Sequence, residues 1–320
     1  MSLPAAIADR LRLPVFGAPM FIVSNPDLVI AQCKAGVVGS FPSLNARPAD
    51  QLEVWLERIK SELADWDAAN PDAPAAPFGV NLIVHKSNDR LEHDLEMCVK
   101  HEVPIVITSL GAQNAVNDAI HSYGGMVMHD VINQRFAHKA IEKGADGLIA
   151  VCAGAGGHAG TQSPFAFVQE LREWFDGPLA LSGCIANGRS VAAARAMGAD
   201  VAYMGSPFIA TTEANAHDNY KQMVVDSTAE DIVYTNYFSG VHGNYLKFSV
   251  EKAGYDTADL PEADPSKMDF GSKDGDNEGP KAWKDIWSAG QGVGGVHSVQ
   301  PTADFVAGLR QEYEAAKGAL

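Results

Sequence analysis

The most informative chemistry in this chain sits at residues 154–160, Gly-Ala-Gly-Gly-His-Ala-Gly, directly after an apolar stretch. Glycines there let the backbone lie close to a flat ligand, with the imidazole of His158 beside it. Histidine ionises nearest neutrality, which suits it to removing a proton from a carbon acid. His158 is therefore the candidate catalytic base and Gly157 a candidate cofactor contact; the plainer alternative is a histidine that only holds structure. A dinucleotide fingerprint is the weaker reading of the same run. Ala159 replaces its third glycine, and the run follows the sixth apolar stretch of the chain, not the first.

Two further glycine turns, Ser182-Gly183-Cys184 and Met204-Gly205-Ser206, each end a short apolar run and precede a helix-like segment. Amides in such a place bind phosphate without needing a lysine. Together they are the candidate site for the single phosphate of a nucleotide or flavin, although either turn alone could be no more than a tight connection. Ala18-Pro19-Met20, Asn81 and His129-Asp130 also end apolar runs, and for His129 a structural role weighs more. Gln291 lies in a third glycine-rich cluster, Trp287-Ser288-Ala289-Gly290-Gln291-Gly292, which could close over a cofactor. No H-E-x-x-H, clustered Cys/His spacing, EF-hand loop or P-loop occurs, so no metal ligand is assigned. Cys152 and Cys184 end strands near the proposed site, but the sequence announces no base to activate either one.

The elements that must position these residues follow from periodicity. Short apolar runs at 14–18, 37–41, 78–84, 104–109, 126–130, 147–152, 178–182 and 201–204 read as strands. Helix-like segments at 26–35, 48–64, 89–101, 113–121, 134–143, 164–175 and 188–197 separate them, most followed by a glycine, proline or asparagine. Continuously apolar strands spaced by helices belong to a parallel sheet covered on both faces, and eight of them fit a closed (β/α)8 barrel better than an open sheet. Ligands of such barrels bind at the C-terminal strand ends, with phosphate commonly held by the loops after strands seven and eight. Both phosphate-turn candidates fall there.

The pattern changes after residue 211. The expected organisation is a cofactor-binding barrel core over 1–212, an inserted subdomain or lid over 213–285, and a return segment with a C-terminal helix over 286–320 packing on the barrel. The acidic stretch 256–280 reads as a solvated surface loop. With 320 residues and 46% hydrophobic composition the chain can bury one large core. Its 24 Lys and Arg against 40 Asp and Glu leave a formal charge of −16, which without a basic patch repels nucleic acid and anionic membrane surfaces. Cys33, Cys98, Cys152 and Cys184 form no C-x-x-C pair, which favours reduced thiols and a cytoplasmic location. The N-terminus lacks a secretory pattern, and no apolar run approaches the roughly 20 residues that span a bilayer.

Taken in order, these motifs resemble the nitronate monooxygenase family, formerly called 2-nitropropane dioxygenases, which are FMN-dependent (β/α)8 enzymes related to flavin-dependent enoyl reductases. The resemblance runs from Ala18-Pro19-Met20 and Ser24-Asn25-Pro26 through Phe78-Gly79-Val80-Asn81 and Gly156-Gly157-His158-Ala159-Gly160. It continues through Ser182-Gly183, Ala186-Asn187-Gly188-Arg189, Gly198-Ala199-Asp200 and Met204-Gly205-Ser206-Pro207-Phe208 to Trp287-Ser288-Ala289-Gly290-Gln291. It implies flavin contacts at Ala18, Met20 and Asn81, phosphate contacts at Gly183, Cys184, Gly205 and Ser206, and a catalytic base at His158. Several relatives carry a lysine where this chain has Asp130, an acidic residue where it has Gly154, and a second turn glycine where it has Cys184. The resemblance thus implies FMN-dependent oxidation of a nitronate or nitroalkane by dioxygen. The alternative on the same fold is an NAD(P)H-dependent flavin reductase of quinones or enoyl thioesters. A homodimer is compatible with either.

Overall fold

The computed structural model describes residues 3–263 and 285–319, so residues 264–280 of the acidic stretch lie outside the described residues. Eight parallel strands form one sheet: β1 (Val15–Gly17), β2 (Gly39–Pro42), β3 (Phe78–Ile83), β4 (Ile105–Ser109), β5 (Met126–Val131), β6 (Gly147–Val151), β8 (Leu179–Ser182) and β9 (Val201–Met204). Their order is β1-β9-β8-β6-β5-β4-β3-β2. A parallel bridge between Phe16 and Val38 joins the two ends, with Gly17 N donating to Val38 O at 2.7 Å. The sheet therefore closes into a (β/α)8 barrel.

Side-chain alternation along each strand divides the residues between two cores. Phe16, Val38, Ile105, Ile107, Met126, Met128, Ile149, Ala180 and Val201 fill the barrel, and Leu3 and Ile7 of the N-terminal segment join that cluster. The intervening residues, such as Val15, Val80, Val106, Val127, Leu148 and Leu181, pack outward under the helices. This is why the strands read as continuously apolar, since both faces are buried.

The helices are α2 (Pro26–Lys34), α3 (Gln51–Ala69), α4 (Leu91–Lys100), α5 (Asn114–His121), α6 (Gln134–Glu142), α7 (Pro164–Arg172) and α8 (Gly188–Ala196), each in a strand-to-strand connection. Asparagine caps start three of them: Asn25, Asn133 and Asn187 accept from the amides of Leu28, Phe136 and Ser190. The C-terminal helix α12 (Thr302–Lys317) packs against α8 and α2, and so occupies the eighth helical position of the ring. A short α1 (Ala5–Ala8) precedes β1.

Between β9 and α12 the chain adds α9 (Ser206–Ile209), α10 (Asp218–Asp226), β10 (Ile232–Thr235), β11 (Gly243–Leu246) and α11 (Lys247–Lys252). Part of the 154–160 run forms a two-residue strand, β7 (Gly157–His158), which no sequence period marks. It pairs antiparallel with β11, giving a second sheet in the order β10-β11-β7. The glycines did not announce this, because the partner strand lies far away in sequence. No helix among the described residues is long and apolar enough to cross a membrane.

Candidate active site

The inner-face residues at the C-terminal strand ends form a connected polar layer. Asn81 on β3 donates both hydrogens of its amide nitrogen, to Ile107 O at 3.0 Å and to Ser109 Oγ at 2.8 Å. Ser109 in turn donates to Asp130 Oδ2 at 2.6 Å. Asn81 can thus present only its carbonyl Oδ1 to a ligand. Burial pushes the Asp130 carboxyl up to about 6, against the opposing effect of the Ser109 hydrogen bond. Tyr203 on β9 is raised well above its ordinary value by its own burial and then by the charge of Asp130. His129, next in sequence to Asp130, points to the outer face, where it is buried with Nδ1 2.6 Å from Thr108 Oγ1. That placement is a structural one.

The turn after β1 carries Ala18, Pro19 and Met20, all half-buried. Ala18 N donates to Met204 O at 2.8 Å, which ties this turn to the end of β9. Asn45 and Ser24 pin its far side, since Asn45 Nδ2 reaches Met20 O and Met20 N reaches Ser24 Oγ. The Met204 side chain is itself fully buried in the outer core.

Beside it run the two phosphate-turn candidates, on the adjacent strands β8 and β9. Gly183 has φ +140°, and a Cβ there would sit 3.0 Å from Ala153 O. Cys184 follows with φ +57°, a left-handed conformation that costs a non-glycine residue on the order of 1–2 kcal/mol. Such strain persists where the surroundings enforce it, and sites are where it collects. Among the described residues no acceptor meets the backbone N–H of Gly183, Cys184, Gly205 or Ser206. Four donors without acceptors, on two neighbouring turns at a barrel mouth, match what a phosphate monoester requires. The N-terminus of α8 is not part of this set, because Gly188 N donates to Glu312 Oε2 of α12 at 2.7 Å.

The histidine loop leans against these turns. Gly154 has φ +77°, a conformation that favours glycine, and it brings the loop against the side-chain ends of Cys184 and Gln291. Gln291 N donates to Gly154 O, Gly290 N to Ser206 Oγ, and Gly157 N to Ser288 Oγ at 2.7 Å. Ser288 Oγ passes its own hydrogen to Asn244 O, while Asn244 Nδ2 holds Ala155 O. His158 is half-buried, with Nε2 3.1 Å from Ser239 Oγ, and burial lowers its pKa to about 4. It is therefore a neutral imidazole at pH 7, able to accept a proton.

The structure thus gathers Ala18, Pro19, Met20, Asn81, Asp130, Gly157, His158, Ser182, Gly183, Cys184, Gly205, Ser206 and Gln291 at one mouth. Sequence reasoning passed over Ser109, Tyr203, Ser239 and Asn244. Ser109 ends a strand and was within reach of the strand-end rule, as was Tyr203 beside Met204. Ser239 and Asn244 carry no motif.

Comparison with known proteins bears on this site. A nitronate monooxygenase from Neurospora crassa is 25% identical over an alignment of 340 positions, covering 93% of this chain and 88% of that protein. The solved nitroalkane oxidase from Streptomyces ansochromogenes superposes with a TM-score of 0.79 at 25% identity, covering 98% of this chain and 99% of that one. FabK from Thermotoga maritima shares the fold with a TM-score of 0.75 at 22% identity, covering 98% and 97%. The nitronate monooxygenase family profile matches residues 6–312, which takes in every barrel strand, the histidine loop and most of α12. On that match, across a barrel whose mouth holds the family's motifs, the chain belongs to the nitronate monooxygenase family of oxidoreductases.

Proposed function

We propose that this protein is an FMN-dependent enzyme that oxidises alkyl nitronates with dioxygen, and neutral nitroalkanes once His158 has removed a proton. One observation carries the reading: a half-buried imidazole, held neutral at pH 7 by burial, shares the barrel mouth with four backbone N–H groups that meet no acceptor among the described residues. Gly183, Cys184, Gly205 and Ser206 would hold the FMN phosphate through those amides. Ala18, Pro19, Met20, Asn81, Asp130, Gly157, Ser182, Met204 and Gln291 complete the proposed cofactor set, Met204 through its backbone. When bound, FMN supplies the electron acceptor that protein side chains lack and a route from substrate to dioxygen.

His158 does the protein's share of the chemistry. It takes the α-proton of a nitroalkane, and the electron pair stays on the carbon, conjugated with the nitro group as a nitronate. Burial keeps the ring neutral at pH 7, so the acceptor lone pair is present before substrate arrives. A preformed nitronate bypasses this step. The four free thiols suit a cytoplasmic location.

The test is purification of the protein, identification of its bound flavin, and assay with and without oxygen. FMN in the protein and oxygen uptake with a nitronate in the absence of NAD(P)H are expected. Rapid anaerobic bleaching by NAD(P)H, with no nitronate-dependent oxygen uptake, would establish the reductase instead. His158→Asn should keep FMN but lose roughly a hundredfold or more in turnover of neutral nitroalkanes, with a smaller loss on nitronates. The wild-type acid limb of kcat/KM on a neutral nitroalkane should fall near pH 4, the value to which burial lowers His158.

A further inference from the structure

We propose that Ser239, in the connection between β10 and β11, is a positioning residue for His158: it accepts a hydrogen bond from Nε2–H and thereby selects the tautomer whose acceptor nitrogen is Nδ1. The inference rests on the reading of His158 as the base. It starts from the single hydrogen of the Ser239 hydroxyl. That hydrogen is directed at Val241 O, 2.9 Å away, and a carbonyl oxygen can only accept. With its hydrogen on Val241 O, Ser239 Oγ turns lone pairs to its other neighbours, which include Val241 N at 3.4 Å. His158 Nε2, at 3.1 Å, is the donor in that arrangement, whereas a hydroxyl turned toward the ring would make it the acceptor. A neutral imidazole has one N–H, so Nδ1 carries the lone pair.

The surroundings hold this arrangement at both ends. The His158 backbone is paired with Gly243 and that of Gly157 with Asn244, so the ring projects from a strand fixed to β11. Ser239 is held from the other side by Tyr245, whose hydroxyl lies 3.3 Å from Ser239 Oγ. Tyr245 is fully buried, and its ring packs edge-on against Phe238, next in sequence to Ser239, with centroids 5.1 Å apart.

The chemical consequence concerns the charged state. When Nδ1 takes the substrate proton, the C–H pair stays on carbon and the imidazolium keeps Nε2–H on an oxygen whose lone pairs face it. The Ser239 dipole then opposes the desolvation cost of the new positive charge. No second proton moves. A serine in the added segment thus does for this histidine what a carboxylate does in other catalytic pairs, at lower charge.

The tautomer can be read directly. Long-range proton–nitrogen correlation spectra of the full chain with its bound flavin, labelled with 15N-histidine at pH 7, give the protonated nitrogen of each neutral ring. The His158 signal is the one missing from His158→Asn. Wild type is expected to show Nε2–H at His158, and Ser239→Ala to shift the population toward Nδ1–H. Ser239→Thr, which keeps the hydroxyl, should restore the wild-type pattern. In parallel, Ser239→Ala should lower kcat on a neutral nitroalkane by roughly tenfold with little change in KM, as expected when a base is misoriented while substrate binding stays intact. A wild-type Nδ1–H ring, or a tautomer ratio unmoved by Ser239→Ala in a folded protein, overturns the proposal. If the tautomer responds as expected but His158→Asn costs nitroalkane and nitronate turnover equally, the positioning stands and the base reading fails.

Discussion

Asp130 shows how burying a single carboxyl at the barrel mouth costs stability as the pH rises. Its carboxyl has an ordinary value of 3.8 and is raised by burial to about 6 in the folded protein. Between about pH 4 and pH 6 the folded state therefore holds a proton that the unfolded chain has released, so stability falls as pH rises through that window and stays lower above it. Asp130→Asn keeps an acceptor for Ser109 and removes the charge. In FMN-free protein it should gain about 1–2 kcal/mol over wild type at pH 8, less than the full shift because the residue is only half-buried, and nothing at pH 4. Thermal unfolding of both proteins at the two pH values checks this, and an equal difference at both would refute it. At this scale the sequence was informative about which residues end the strands, Asp130 among them. It said nothing of the Asn81–Ser109–Asp130 line, because that line depends on inter-strand register.

The turns after β8 and β9 look alike in sequence and differ in what they tolerate. Gly183 needs to be glycine for the chain's own sake, with φ +140° and a carbonyl 3.0 Å from any Cβ. Gly205 does not, since its φ is −114° and a Cβ there would meet Ala18 Cβ at 3.4 Å and Met20 Sδ at 3.5 Å, both ordinary contacts. Gly205→Ala should therefore fold as wild type. If the FMN phosphate lies against this turn, the added methyl group should weaken FMN binding at least tenfold, or about 1.4 kcal/mol. Titration of apoprotein with FMN by fluorescence reads the change, and an unaltered affinity would put the phosphate elsewhere. The eight barrel strands were legible at this scale, with ends displaced by a residue or two. β7 was not, because two residues beside glycines have no period to read, and the strand exists only through its pairing with β11.

For the whole molecule, the closing element of the helical ring arrives last. α12 is separated from β9 by the entire added segment, yet it seats between α8 and α2. Gly188, the first residue of α8, makes the seat possible: a Cβ there would lie 2.3 Å from Tyr313 N and 2.4 Å from Leu309 O. Those are helix backbone atoms and cannot yield without moving α12. Gly188→Ala should thus destabilise the protein by about 1–3 kcal/mol, even though alanine is the better helix former. Denaturant unfolding measures it, and a neutral or stabilising result would mean that α12 is not packed this closely.

What the sequence determined by itself was the barrel and the places where chemistry could sit. Eight apolar runs alternating with amphipathic ones, and glycines at the strand ends, are properties of neighbouring residues along the chain, so they can be read without a fold. The tertiary structure alone decided what surrounds His158. Ser239 reaches it across 81 residues of sequence and Ser288 reaches Gly157 across 131, through hydrogen bonds that exist only once the added segment has paired with β7. A hydroxyl at a sequence distance has no periodicity and no motif; its role is set by where the two backbones are brought together, and that is fixed by the packing of Tyr245 and its neighbours beneath the second sheet.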